Sequence, residues 1–426
     1  MSDKTINLGL KQNWQQFSLL VLINAFVGGM VGLERAVLPL IAEEEFGLAS
    51  RLAVLSFIAS FGWVKAIANL LAGRLSDKWG RKKVLLLGWL FGLPVPFLII
   101  WAPSWSWIIF ANVLLGVNQG LCWSTTVIMK IDLVGVRQRG LAMGLNEAAG
   151  YLAVSAAAFA SGYIAARYGL RPYPFYLGVA FAFCGLLISW ALVRETREHA
   201  LYESALSRGQ GRPDGAEDKK RLSGSKVSET FWHIFLYTSW KNRTLFSTSQ
   251  AGLVNNLNDG VAWGLFPLYF ASAGLSVKEI GILAAVYPAL WGLGQMLTGA
   301  LSDRTGRKPL IVAGMLLQGL GILGIVFQKE YAWWIVDMSL MGIGTAMVYP
   351  TLIAAVSDVV DAKWRASAIG VYRLWRDMGY VVGALAAGWI ADQLGMDKAI
   401  GTIGMITVLS GGIVAMFMRE TLPDEH

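Results

Sequence analysis

The chain alternates long apolar stretches with short polar ones, and the length of the apolar stretches is its first signal. A helix crossing the roughly 30 Å hydrocarbon core of a bilayer needs about 20 mainly apolar residues. Residues 17–41, 53–73, 84–102, 106–129, 141–166, 174–193, 245–271, 279–300, 310–327, 332–356, 366–391 and 399–418 meet or approach that length. Each of these twelve predicts a spanning α-helix, so the fold class is an all-α integral membrane protein. The first stretch has no small-residue cleavage site and belongs to the set, so it reads as a span and not as a removable signal peptide.

One polar stretch is longer than the rest. Ser207–Thr230, "SRGQGRPDGAEDKKRLSGSKVSET", is charged and rich in Gly. It has little apolar area to bury, which predicts a flexible linker. The chain then divides into an N-terminal segment 1–16, a six-helix half over 17–200, a linker region 201–244, a second six-helix half over 245–418, and a tail 419–426. Within the linker region "FWHIFLYTSW", Phe231–Trp240, sets aromatics beside polar groups and predicts a segment lying along the inner membrane surface.

The halves repeat. "GRLSDKWGRKK" from Gly73 and "GALSDRTGRKP" from Gly299 are the same polar phrase, and 226 positions separate Asp77 from Asp303, Gly80 from Gly306 and Arg81 from Arg307. The register continues through Gly116 and Gly342, Asp132 and Asp358, Arg139 and Arg365, and through Gly144, Gly162 and Gly169 with Gly370, Gly388 and Gly395. Both halves end on "RET", at Arg194–Thr196 and Arg419–Thr421. A parallel repeat of this kind predicts a pseudo-two-fold axis along the membrane normal, with a site between the halves near the midplane.

Composition strengthens the membrane reading: 55% of residues are hydrophobic, only 15% are charged, and 48 are Gly. Gly inside apolar runs permits close helix packing in lipid. The formal net charge of +8 does not point to nucleic acid, because its carriers fall in alternate loops. Arg74, Lys78, Arg81, Lys82 and Lys83, then Arg137 and Arg139, then Lys219, Lys220 and Arg221 share one side if both termini are cytoplasmic, which is the positive-inside asymmetry. Cys122 and Cys184 lie in apolar runs and define no disulfide framework. His199, His233 and His426 lie outside the runs and suggest no metal site. No phosphate-binding loop of the G-x-x-x-x-G-K-S/T kind is present, so the chain carries no nucleotide motor of its own.

The doubled "G-x-L-S-D-x-x-G-R-K" after spans two and eight, in a twelve-span chain with a central linker, resembles the major facilitator superfamily of secondary transporters. The resemblance covers nearly the whole chain. It implies two six-helix halves that rock about a central site, and a motif that latches them together on the cytoplasmic side when the outer side is open. The latch residues would be Gly73, Asp77, Gly80, Arg81 and Lys82 with Gly299, Asp303, Gly306, Arg307 and Lys308, and their loop partners Asp132, Arg139, Asp358 and Arg365. On physical grounds, Gly73 and Gly80 suit close approach and a tight turn. Asp77 suits the N–H groups at a helix start. Two features depart from the proton-linked members. Asn112 stands where span four often has an arginine, and span five, "AAGYLAVSAAAFASGY", lacks a Gly-Pro pair.

Charges inside spans are costly and usually face a cavity or a partner. Glu34 and Arg35 in span one are neighbours about 100° apart on a helix, so one is expected to face the cavity and the other a neighbouring helix. Glu34 is a candidate proton carrier or half of a structural ion pair. In span seven Asn255, Asn258 and Asp259 recur at i, i+3 and i+4 with Trp263 a turn later, which predicts cavity lining, with interhelical hydrogen bonding as the alternative. Arg373, Arg376 and Asp377 repeat that spacing in span eleven. Glu147 of span five is the repeat mate of Arg373, which predicts either a cross-half ion pair that opens and closes or a static one. Lys65 and Asp337 are further candidates. Asn118, Gln119 and Trp123 of span four, with Tyr349, are candidate cavity residues.

These observations predict a secondary active transporter of a small solute, with export favoured over uptake. A transporter-like sensor without flux is the alternative of another class. No enzyme is expected, since no Ser/His/Asp or Cys/His set is present. Protons are the expected coupling ion, and no cofactor or nucleic acid is implied. The basic set Arg35, Lys65, Arg373 and Arg376 suits an organic anion. An aromatic cavity with acids suits amphipathic or cationic compounds. The expected setting is the inner membrane of a bacterium, with both termini cytoplasmic and the monomer as the functional unit.

Overall fold

The computed structural model describes residues 8–134, 139–202, 231–360 and 364–422. The side chains of Arg139 and Arg365, expected as loop partners, lie outside this set, as do Lys219, Lys220 and Arg221 of the linker.

Each apolar stretch forms a helix and most overrun the stretch by a turn. In the first half these are α1 (Trp14–Glu44), α2 (Arg51–Trp79), α3 (Arg81–Gly92) with α4 (Val95–Ile100), α5 (Trp105–Val134), α6 (Arg139–Tyr168) and α7 (Tyr173–Ala191). The second half has α9 (Arg243–Ser272), α10 (Val277–Thr305), α11 (Arg307–Phe327), α12 (Tyr331–Val359), α13 (Arg365–Leu394) and α14 (Met396–Phe417). A short α8 (Phe231–Leu236) runs into a π-helical turn, Tyr237–Lys241, ahead of α9. Helices α3 and α4 make one span, interrupted beside Pro94, which removes a backbone donor.

At 29 residues, α2 is about 43 Å long at 1.5 Å per residue, enough to cross the bilayer and carry the motif beyond it. The motif is therefore mostly helix. Its turn is a single residue, Gly80 at φ +94°, repeated by Gly306 at φ +93°, a backbone region that costs other residues dearly.

Counting α3 and α4 as one, ten of these helices are long and apolar enough to cross a membrane by composition alone. The remaining two are α9 and α13, which carry Asn255, Asn258, Asp259, Arg373, Arg376 and Asp377. Helix α9 is buried along nearly its whole length, from Thr244 to Phe270, so the bundle and not lipid surrounds its polar groups.

The halves meet along α2 with α13 and α6 with α10, most tightly toward one end. At the face opposite the motif, a Cβ on Gly162 would lie 2.7 Å from Cα of Gly281, and one on Gly388 would lie 2.7 Å from Cα of Leu52. At the motif face, Cβ atoms on Gly73, Gly144, Gly299 and Gly370 would meet nothing within 4 Å. The glycine pairs of the repeat thus divide by face. One mated pair is wedged into the contact between halves and two stand at an open cleft. The apolar core follows suit: the main cluster runs through both halves, while Leu245, Ile311, Val348, Leu352 and Tyr372 form a separate one in the second half.

Candidate functional site

Between the halves lies a cavity lined from both sides. The first half contributes Arg35 from α1, Lys65 and Asn69 from α2, Gln119 and Trp123 from α5, and Glu147 and Tyr151 from α6. The second contributes Tyr349 from α12 and Arg373, Arg376 and Tyr380 from α13.

Arg35 and Asp259 are joined across the halves by a bidentate pair, Nη1 to Oδ1 at 2.6 Å and Nη2 to Oδ2 at 2.9 Å. Tyr380 Oη donates to the same Oδ2 at 2.5 Å. The Arg35 guanidinium also stands 5.5 Å from the ring centroid of Trp263, which is fully buried among Phe57, Phe61 and Tyr380. A buried ion pair of this kind is tolerable because both carboxylate oxygens and both terminal guanidinium nitrogens have partners, although Arg35 Nε has none.

Arg376 makes a second closed set. Its Nε and Nη2 donate to Oδ1 of the adjacent Asp377, and Nη1 donates to Tyr349 Oη at 2.8 Å. Asp377 Oδ2 accepts from Asn69 Nδ2 of the other half at 2.6 Å. Trp123 Nε1 and Asn146 Nδ2 both donate to Oε1 of Glu147, at 2.8 and 3.0 Å, and its Oε2 has no partner.

Several expected placements change. Asn255 and Asn258 do not line the cavity. Gln318 of α11 bridges them, donating to Asn255 and accepting from Asn258 at 3.0 Å each, and Thr407 of α14 donates to Asn258 at 2.8 Å. The polar stripe of α9 is split because the helix is enclosed: its amides turn to neighbours in their own half and Asp259 turns to the other. The Glu147–Arg373 ion pair is not formed. Both side chains face the cavity, which separates them, and Glu147 is held by Trp123 and Asn146 instead.

Arg35 faces the cavity and Glu34 turns away from it. Glu34 is buried behind α1 with neither oxygen partnered, as is Asn112 Oδ1. Asn118 donates to the carbonyl of Gly88 at 3.0 Å inside its own half, away from the cavity. Gln119, on the cavity wall, donates to the carbonyl of Val27 at 2.6 Å. Asp337 is buried against Gly324, outside the cavity.

The motif residues form one cage per half. Arg81 bonds Asp77 at 3.0 Å and Asp132 at 3.1 Å, and Thr196 donates to Asp132 at 2.8 Å. Arg307 bonds Asp303 at 2.6 Å and Asp358 at 3.2 Å, and Thr421 donates to Asp358 at 3.2 Å. The carboxylate on the helix-start N–H groups is not that of Asp77. Glu195 accepts from Arg81 N and Lys82 N, at 3.0 and 3.1 Å, and Glu420 accepts from Arg307 N and Lys308 N, at 2.8 and 3.1 Å. Gly80 and Gly306 have no side chain to cap with, so the end of each half supplies the acid. Every one of these motif bonds stays within its own half.

Sequence reasoning missed Glu195 and Glu420, although the repeated "RET" marked them. It also missed Asn69, one turn beyond Lys65, and Tyr380, one turn beyond Arg376. At the opposite face it missed Asp392, which accepts from Ser50 Oγ at 2.6 Å, Arg51 N at 2.5 Å and Leu52 N at 3.1 Å. The second half thereby caps α2 of the first. The repeat mate of Ser50, Ser276, needs no such help, because Glu279 completes a capping box within α10.

Two repeated six-helix halves around a polar cavity that opens at one face define an integral membrane protein built to handle solutes. The chain belongs to the Major Facilitator Superfamily, whose family model matches residues 18–247 and again 248–426, and it is a membrane transporter. It is similar to an uncharacterised transporter of this type from Methanocaldococcus jannaschii, 21% identical over 85% of this chain and 88% of that one. It is also similar to the multi-drug resistance efflux pump PmrA of Streptococcus pneumoniae, 26% identical over 35% of each chain. In fold it resembles a peptide transporter crystallised with sulfate, with a TM-score of 0.70 and 14% identity over 94% of this chain and 93% of that one.

Proposed function

We propose that the protein is a secondary active transporter that moves a small solute by alternating access. The observation that carries the reading is the division of the interface between halves: glycine-tight at one face and open at the other, with the charged cavity between. In the alternate state the motif face closes, and the cages rearrange from bonds within a half to bonds between halves. The basic residues of that face support a reading in which it and both termini are cytoplasmic, in the inner membrane of a bacterium. The conformation described is then the inward-open one.

Protons drive the cycle, and Glu147 takes them up. Among the described residues it is the cavity-lining carboxyl with an unpartnered oxygen, whereas Asp259 and Asp377 are engaged by Arg35 and Arg376. Export of organic anions or amphipathic compounds is the favoured direction, and the efflux pump among the relatives supports it. The aromatic lining also suits lipophilic cations, which is the second reading. The chain acts as a monomer, without cofactor or enzymatic activity of its own.

Cysteine pairs test the mechanism. A pair replacing Ser50 and Asp392 should cross-link in the inward-open state, and a pair replacing Gly73 and Gly370, which border the same opening, in the outward-open state. Exclusive, interconverting cross-links are expected. Constant cross-linking of one pair under every condition overturns alternating access.

A further inference from the structure

We infer that the solute is an organic monoanion with an aromatic or apolar body, and that its carboxylate-like headgroup seats between Lys65 of α2 and Arg373 of α13. The inference rests on the transport reading above. Arg35 and Arg376 are already committed: Asp259 takes both terminal nitrogens of Arg35, leaving only its Nε unpartnered, and Asp377 and Tyr349 occupy the donors of Arg376. Lys65 and Arg373 remain. Both line the cavity, and neither has a hydrogen-bond or ion-pair partner among the described residues.

Lys65 Nζ rests over ring faces, 5.4 Å from the centroid of Phe61 and 5.0 Å from that of Tyr380. Arg373 Nε is buried and unpartnered. Cations inside a bundle are costly unless paired, and two left free on facing helices of opposite halves mark a place for a negative group. A carboxylate meets both needs, since guanidinium and ammonium each give it charge-assisted hydrogen bonds.

Charge balance sets the valence. Counting the cavity-lining groups and their direct ion-pair partners with every acid ionised, Arg35, Lys65, Arg373 and Arg376 face Asp259, Asp377 and Glu147, leaving one positive charge. The buried Lys130, donating to the carbonyl of Leu20, stands outside that count. One negative charge on the ligand makes the site neutral. A second carboxylate reaching across the cavity would meet Glu147 on the α6 wall. The rest of the wall selects the body: Phe61, Trp123, Tyr151, Tyr349 and Tyr380 offer ring surface, and Val31, Val127 and Val154 offer aliphatic surface.

The test uses one scaffold with four head groups: biphenylcarboxylate, biphenylcarboxamide, biphenyldicarboxylate and biphenyltrimethylammonium. Each is titrated against the purified full-length protein, with binding read by thermal shift and by calorimetry. The monocarboxylate is expected to bind most tightly. Lys65→Met and Arg373→Met should each weaken it by at least about tenfold, the worth of one charge-assisted hydrogen bond. Both variants should leave the carboxamide unaffected, and Lys65→Arg should recover much of the loss.

The inference is overturned if the carboxamide or the ammonium compound binds as well as the carboxylate. Equal loss for carboxylate and carboxamide in the variants overturns it too, as does the absence of any shift from the carboxylates at millimolar concentration. The cysteine-pair cross-links separate the two readings. Carboxylate binding with no interchange of faces keeps the site and sinks the transport cycle. Interchange that ignores ligand charge does the reverse.

Discussion

Arg35 and Asp259, 224 positions apart, form a bidentate ion pair across the two halves of the bundle. The pair joins the first helix of one half to the first helix of the other beside the cavity. Removing one member strands a buried charge, which typically costs about 3–5 kcal/mol. Asp259→Asn and Arg35→Gln are each expected to lower stability by that order in detergent-solubilised unfolding. The double change Arg35→Met with Asp259→Leu should be less damaging than either single one. Additive losses would mean that the two residues act independently.

Asp392 is a cap supplied in trans, and it exists only while the face opposite the motif is closed. Losing a helix N-cap costs about 1 kcal/mol. Asp392→Ala should therefore shift the equilibrium towards opening at that face about fivefold, seen as faster modification of a cysteine placed at Ser50. Glu279→Ala removes a cap internal to α10 and should lower stability without changing that accessibility.

Glu195 and Glu420 tie the last residues of each half to the motif turn. Burial works against the Glu420 carboxylate, but N–H groups of Leu422, Arg307, Thr421 and Lys308 outweigh it and hold the group below the ordinary glutamate value of 4.5. A depressed folded-state value contributes stability that is complete above the ordinary value and fades as pH falls through the depressed one. Hydrogen exchange at the amides of Arg307 and Lys308 should thus be flat from neutral pH down to about 5, apart from intrinsic rates, and lose protection below about 4.5. Glu420→Gln should show weaker protection throughout and no such step.

Glycines at the two faces should respond in opposite ways. Gly73→Leu and Gly370→Leu fill open space in this conformation, so stability should change by no more than about 0.5 kcal/mol. Closure of the motif face would then be blocked, and the cysteine pair at Ser50 and Asp392 should cross-link permanently. Gly162→Leu would drive a side chain into Gly281 and should favour the state in which that face is parted.

The sequence announced the scaffold because each part of it has a local cause. The predicted runs became twelve long helices, ten of them apolar enough to span by composition alone, and the 226-residue register became two halves with matching one-residue turns at Gly80 and Gly306. The site was only partly legible. Periodicity identified which side chains share a helix face, but not what stands opposite that face. Asn255, Asn258 and Asp259 therefore looked like one lining, although Gln318 and Thr407 claim the amides and Arg35 claims the acid. Likewise the repeat alignment of Glu147 with Arg373 is a statement about equivalent places, and equivalent places in a two-fold bundle sit on opposite walls. Partners such as Tyr380 and Asp392 depend on long-range packing that no local pattern encodes.

The stacking of Tyr151 on Trp291, ring centroids 3.5 Å apart across the halves, has a consequence for how such a molecule diversifies. Trp291 occupies the place in the second half that Lys65 occupies in the first. A duplicated framework has thus become a bundle with one seam centred on an aromatic stack and one centred on charged groups. The glycines that set helix spacing are bound by geometry to remain alike in both copies. Position 65 and its counterpart carry no such obligation, so new cargo can be accommodated by altering one seam while the other continues to guide the motion.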